Sequence, residues 1–327
     1  MASWHHKQHM PNLQGRVAFV TGGNAGIGYH TVVFLAKAGA KVYFGARSAS
    51  RAEAAVERMY RENPGLLHGQ VNWLQVDMAS MKSVLAGCDK FRASESKLNI
   101  LIHNAAHEGR EPSNMADSGV QITMQTNHLA VFAMTQELQP MLRTAAAEKD
   151  SDVRIVNVSS NAPSLTHSDE WRPDFSDPHG GDIRYPAGQA DGFLAAMKRY
   201  SVSKMAMNLL TAELQARYDR EGVPIMVISV CPGAVWTPGT RRVLPWYLLP
   251  VSYVNSCSEI EGPKAVLFAA VANEVREQEM YFKGQFINRT HLVIKGHPVT
   301  YNHAAGQQLW SVSKELVREF KDKARPE

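Results

Sequence analysis

Apolar and β-branched residues gather in short, nearly unbroken runs along this chain: RVAFV (16–20), KVYFGA (41–46), VNWLQV (71–76), LNILIH (98–103), RIVNV (154–158) and PIMVISV (224–230). A strand with one wet face would alternate apolar and polar positions, so runs this uniform suit strands covered on both sides. Segments of helical period lie between them, such as GYHTVVFLAKAG (28–39) and ASRAEAAVERMYREN (49–63). The alternation predicts an α/β fold: a single-domain, doubly wound parallel sheet with helices on both faces. Near the C-terminus, Leu309, Val312, Leu316 and Phe320 form one stripe of an amphipathic helix that covers the core rather than a membrane. No repeat and no linker divides the chain. The expected domain is 15–302, flanked by an N-terminal extension (1–14) and a C-terminal helical tail (303–327).

Composition narrows the setting. A chain of 327 residues can bury a substantial core. Its +4 charge comes from 35 basic and 31 acidic residues that are interspersed, which reads as a solvated surface and not a nucleic-acid patch. Cys88, Cys231 and Cys257 lack paired spacing, as expected in a reducing compartment. The first residues lack the apolar core of a signal peptide. The strongest apolar stretch (243–254) is short and broken by two prolines, so no membrane span is expected. These features predict a soluble, cytoplasmic protein. His5, His6 and His9 cluster near the start without a carboxylate in sequence, on a segment expected to fray, and no metal is expected there. His167, Asp169, Asp174 and His179 lack fixed ligand spacing.

Chemistry is expected where the strands end. The first runs into TGGNAGIG, whose Gly22, Asn24, Gly26, Ile27 and Gly28 stand between a strand and a helix. Glycines let the backbone approach a pyrophosphate, and the helix N-terminus offers free N–H groups to it. A glycine cluster alone would also suit a tight turn; the flanking strand and helix favour a dinucleotide. At the end of the second strand stands Arg47, where an acid would hold a ribose 2′-hydroxyl; an arginine accommodates a 2′-phosphate, so NADP(H) is the expected cofactor. Arg51 lies one turn on. Asp77 and Met78 close the third strand, and Asn104 and Ala105 the fourth, in position to line the adenosine side. Asp77 and Asn104 would serve equally well as helix caps.

One helical segment reads YSVSK, placing Tyr200 and Lys204 four apart and therefore on one face. A phenol titrates near 10, and a close ammonium would lower that value. The fifth strand ends on Ser159 and Ser160, of which alternation lets only one face the site; Ser160 is the choice and Ser159 the fallback.

With these residues together, the chain resembles the short-chain dehydrogenase/reductase family over roughly residues 15–272. CPGAVWT (231–237) is similar to the family's Pro-Gly segment after the sixth strand, and by that likeness Pro232, Gly233, Val235 and Thr237 contact the nicotinamide end of the cofactor. QTNHLAVF places Asn127 where the family keeps an asparagine that holds a water. The resemblance implies a tetrad of Asn127, Ser160, Tyr200 and Lys204, with Tyr200 passing the proton and Lys204 binding the nicotinamide ribose. GQQLWSVSKELV resembles the tail of retinol-dehydrogenase-like members. Two departures stand out: His103-Asn104-Ala105-Ala106 replaces the family's Asn-Asn-Ala-Gly, and the Ser160–Tyr200 interval is much longer than in small members. That inserted segment (161–195), with Trp171, Phe175 and Tyr185, is expected to be a loop, either a substrate lid or a surface excursion. A substrate loop is expected at 238–258. Trp171, Trp236, Trp246 and Tyr247 are the candidate substrate contacts, suited to a bulky apolar molecule. The implied activity is hydride transfer between NADP(H) and a carbonyl or secondary alcohol of a secondary-metabolite ketone, steroid or retinoid type, in a possible homodimer. A non-catalytic NADP-sensing protein and a redox-neutral enzyme on the same scaffold are the alternatives.

Overall fold

The computed structural model describes residues 4–110, 114–184, 192–243 and 245–324. Seven parallel strands form one sheet in the order β3-β2-β1-β4-β5-β6-β7. These are β1 (Val17–Thr21), β2 (Lys41–Ala46), β3 (Val71–Gln75), β4 (Ile100–His103), β5 (Val153–Val158), β6 (Ile225–Val230) and β7 (Phe286–Ile287). The six apolar runs become the first six strands. The seventh is too short to show a period, and it pairs with the Ser229–Val230 edge of β6.

Alternation along each strand feeds two cores. Phe19, Leu101, Ile155 and Val227 face one side of the sheet, beneath α3 (Met81–Ser94), α4 (Ala130–Ala146), α5 (Phe193–Glu221) and α7 (His303–Ala324). Ala18, Ile100, Val156 and Ile228 face the other, beneath α1 (Gly26–Lys37), α2 (Ala49–Glu62) and α6 (Lys264–Val271). The strand order reverses between β1 and β4, so α1 leaves one face and the chain after β4 the other. A crevice beyond the strand ends follows from that divergence. As expected, α7 lays Leu309, Val312 and Leu316 onto the core. No helix among the described residues is long and apolar enough to cross a membrane.

Two expectations need correction. The N-terminal segment does not fray from Trp4 onward: Trp4, His6 and Leu13 are all buried, and Trp4 packs edge-on against Phe268 at 5.6 Å. The inserted segment is not a plain loop either. It forms helical turns at Ala162–Thr166 and Gly181–Arg184, and buries Phe175 and Ile183 fully in the α3/α4 core. Its Ser168 carbonyl accepts a hydrogen bond from His297 at 2.9 Å, which ties it to the chain before α7. Tyr185 lies outside the described residues.

Candidate active site

The turn after β1 is built for close approach. Gly22 and Gly26 hold positive φ (68° and 55°), a region that costs a side-chain-bearing residue energy. A Cβ on Gly28 would lie 2.3 Å from the Gly22 carbonyl oxygen, so this glycine is required by packing. Thr21 Oγ1 accepts from the backbone N–H groups of Asn104 (2.9 Å) and Ala105 (3.0 Å), which locks the ends of β1 and β4 together. The Asn104 side chain donates to the Thr21 carbonyl at 2.9 Å, supporting the turn from behind. Ala25, the N-cap of α1, offers no side-chain cap, and the first turn carries no acid, so its N–H groups are left for a ligand.

From this turn a cleft of about 780 Å³ runs outward, lined by Asn24, Gly26, Ile27, Arg47, Arg51, Arg58, Asp77, Met78, Asn104 and Ala105 among others. Asp77 works locally as well: its carboxylate accepts from Ala79 N–H at 3.0 Å. Arg58 is paired with Glu62 at 2.8 Å, whereas among the described residues Arg47 and Arg51 have no acidic partner. The residues that surround this cleft therefore fit a dinucleotide phosphate at both the turn and the arginine end.

At its inner end the cleft opens into a second cavity of about 330 Å³. Ser160, Tyr200, Lys204, Pro232, Gly233, Val235 and Thr237 line it, and Ile27, Asn104, Glu108, Thr237 and Gly239 line both spaces. Ser160 lies beside the Tyr200 phenol and accepts from Ala162 N–H at 3.1 Å, while Ser159 is buried and donates to the Lys204 carbonyl at 3.2 Å. Both serines line the cavity, although alternation was expected to let only one face it. Lys204 is almost wholly buried, with its ammonium 5.5 Å from the Tyr200 ring centre and donating to the Val158 carbonyl at 2.7 Å.

The electrostatics depart from expectation. Burial pushes the Tyr200 phenol above its ordinary value, with Cys231 and Glu108 adding to the rise and the Ser160 hydrogen bond opposing it. Lys204 does not lower it; burial instead brings the lysine itself down from 10.5 to about 7. Desolvation of two groups in one dry pocket outweighs their mutual attraction.

Asn127 stands in a π-helical turn (Gln125–Leu129) just before α4 and is fully buried behind the cavity wall. Its side chain accepts from His107 N–H at 2.7 Å and donates to the His107 carbonyl and Ser203 Oγ, both at 2.9 Å. Its amide is spent on fixing the loop after β4. Two residues on, Arg199 Nε donates to the Gly109 carbonyl at 2.8 Å, and a Cβ on Gly109 would meet the Ala196 carbonyl oxygen at 2.3 Å. Glu108 is pinned between these anchors with its carboxylate at the cavity. Sequence reasoning missed it, along with Cys231, Met197 and Thr240, which also line the cavity. The signal available was position: Cys231 directly follows β6, and Glu108 lies in the loop after β4.

None of the four candidate substrate contacts lines this cavity. Trp171 lies tilted over His167 (4.0 Å) and edge-on to His297 (5.6 Å), packing the insertion on itself and on the chain before α7. Trp236 packs edge-on against Tyr253 at 5.2 Å. Trp246 and Tyr247 are 82% and 61% exposed and meet each other, not the cavity. Large apolar side chains near a site in sequence had closer partners than a substrate.

The model of the short chain dehydrogenase family matches residues 16–169. The short chain dehydrogenase/reductase dpchH of Colletotrichum higginsianum is 36% identical over 314 residues, which cover 94% of this chain and 76% of that protein. The short chain dehydrogenase/reductase dpfgH of Gibberella zeae is 35% identical, over 96% of this chain and 86% of its own. This chain belongs to the short-chain dehydrogenase/reductase family. Among solved structures, an NADPH-bound carbonyl reductase from chicken fatty liver superposes with a TM-score of 0.60 at 22% identity, over 90% of this chain and 99% of that one. The family is one of oxidoreductases that use a nicotinamide cofactor.

Proposed function

We propose that this oxidoreductase uses NADP(H) to reduce a carbonyl of a bulky, mostly apolar small molecule, with Tyr200 as proton donor. The carrying observation is the convergence of Ser160, Tyr200 and Lys204 on one cavity that shares Ile27, Asn104 and Thr237 with the phosphate-binding cleft. NADP(H), when bound, supplies the hydride. A carbonyl oxygen held by Ser160 and Tyr200 takes its proton from the phenol as negative charge develops. The raised pKa of Tyr200 keeps that phenol protonated at neutral pH, which suits the reductive direction. Lys204, with its ammonium 5.5 Å from the Tyr200 ring centre, is placed to hold a ribose hydroxyl. Asn127 positions the His107–Gly109 loop, and through it Glu108, for a substrate hydroxyl on an otherwise apolar wall. The reading draws support from the unpaired Arg47 and Arg51 at the outer end of the cleft. A panel of ketones and aldehydes assayed for NADPH consumption tests it. Turnover of bulky cyclic ketones is the expected result, and turnover of none of the panel by a protein that binds NADPH would sink it.

A further inference from the structure

Away from the cleft, the arm that precedes β1 carries a group of side chains that the reaction does not use. Residues 5–9 form a turn in which His9 N–H donates to the His5 carbonyl at 2.9 Å and His9 Nδ1 accepts from His5 N–H at 2.8 Å. Trp4, wedged against Phe268 and His291, anchors the turn to the body. The turn delivers His5 to Glu261, with Nε2 3.2 Å from Oε2, and Lys7 to the other oxygen of the same carboxylate at 2.9 Å. The carboxylate missing from the local sequence is thus supplied from more than 250 residues away.

His6 lies beside them, stacked on the His5 ring at 4.6 Å and edge-on to Phe34 at 4.4 Å. It is 99% buried, by its 1% exposure, and both ring nitrogens lack a hydrogen-bond partner. Leaving such a group unsatisfied costs on the order of 1–3 kcal/mol. Both nitrogens of this buried ring are therefore without a protein partner among the described residues, which leaves a donor atom to offer an ion. Donor atoms of His5, His6 and Glu261 all lie within 4.8 Å of one another, the one such convergence among the described residues.

We propose that His5, His6 and Glu261 form a binding site for a divalent transition-metal ion of the zinc type, a structural staple between the N-terminal arm and the turn before α6. Two imidazoles and one carboxylate suit borderline-soft ions and not Ca²⁺ or Mg²⁺. Ligands about 2.0–2.2 Å from a tetrahedral ion sit about 3.3–3.6 Å apart, slightly more than the His5–Glu261 spacing of 3.2 Å. The ion takes Oε2 while Lys7 keeps Oε1, and the His5 proton passes from Nε2 to Nδ1, which gives up its 3.3 Å bond from Lys7 N–H. Lys7 opposes a dication and so weakens the site. The staple has a route to the active site, because the next residue, Gly262, abuts Val235 and Ile27: a Cβ there would lie 2.8 and 3.0 Å from their side chains, and both line the cavity.

The test is direct titration of the full-length, chelator-treated protein with Zn²⁺ by calorimetry and with Co²⁺ by absorption. One equivalent is expected, with a visible Co²⁺ spectrum of low symmetry and a higher melting temperature. His6→Ala and Glu261→Gln should each weaken uptake on the order of ten-fold or more, at least what losing a supporting partner costs. Lys7→Gln should tighten it, a result that a purely structural role for the arm would not give. Should His6→Ala fail to fold, Glu261→Gln and Lys7→Gln still decide. No saturable uptake, or uptake unchanged in Glu261→Gln and Lys7→Gln, would overturn the site.

Discussion

Tyr200 and Lys204 share a dry pocket in which each disfavours its own charged form, and that tension sets their behaviour. Removing only the phenolic oxygen, Tyr200→Phe should lower carbonyl turnover by about 10²–10⁴-fold while leaving NADPH affinity nearly unchanged. Turnover at the wild-type rate would refute the proton-donor assignment. Lys204 makes a separate prediction about stability. Its folded pKa is about 7 against 10.5 unfolded, so above pH 7 the unfolded chain binds more protons and stability contributed by this site rises with pH. Below about pH 7 both states carry the proton and the slope vanishes, leaving the full cost of a buried ammonium. Lys204→Met should therefore be inactive yet more stable at neutral pH, by on the order of 1 kcal/mol or a few degrees in Tm, and should flatten the rise between about pH 7 and 10. Thermal melts at several pH values check this; equal slopes in both proteins would mean that Lys204 is charged in the folded state.

Among the elements, those with long uniform patterns were legible and those decided by distant partners were not. Six strands were readable because burial of most positions leaves few polar ones, and the glycine turn because Gly22 and Gly28 answer to local geometry. Alternation alone did not decide between Ser159 and Ser160, and both line the cavity. The aromatics of the insertion misled, since sequence shows that Trp171 and Phe175 must be buried but not against what. Phe175 turned out to belong to the core beneath α3 and α4, with Ile183 beside it. Likewise His5 had a carboxylate partner, invisible because Glu261 is brought to it by the fold. Cutting the insertion would therefore open the core and not merely uncover a pocket. Phe175→Ala is expected to cost about 3–5 kcal/mol of stability, as for a large core side chain, with NADPH affinity of the folded fraction unchanged. Chemical denaturation and cofactor titration separate the two. A loss of less than about 1 kcal/mol would mean that the segment is a detachable cover.

Over the whole molecule, the strand-order reversal joins two spaces of different character into one trough. The outer space is rimmed by arginines, while Val158, Met197, Pro232 and Val235 make the inner one largely apolar. The division matches a charged carrier held at one end and an apolar substrate at the other. If so, cofactor choice belongs to the outer rim and can change without touching the inner chemistry. Arg47 and Arg51, free of acidic partners among the described residues, should favour NADPH over NADH by at least about ten-fold, or 1.4 kcal/mol. The preference should shrink with added salt, because exposed arginines act through a screened field. Arg47→Asp should reverse it, since an acid repels the 2′-phosphate and accepts from a 2′-hydroxyl. The maximal rate of ketone reduction with the newly preferred cofactor should stay within a few-fold of wild type, because Ser160, Tyr200 and Lys204 lie at the far end. Fluorescence titration of both cofactors at two salt concentrations, followed by steady-state rates, decides it. Equal affinities in the unmodified protein would remove the phosphate role of the arginines; a reversed preference accompanied by lost turnover would show that the two ends are not independent.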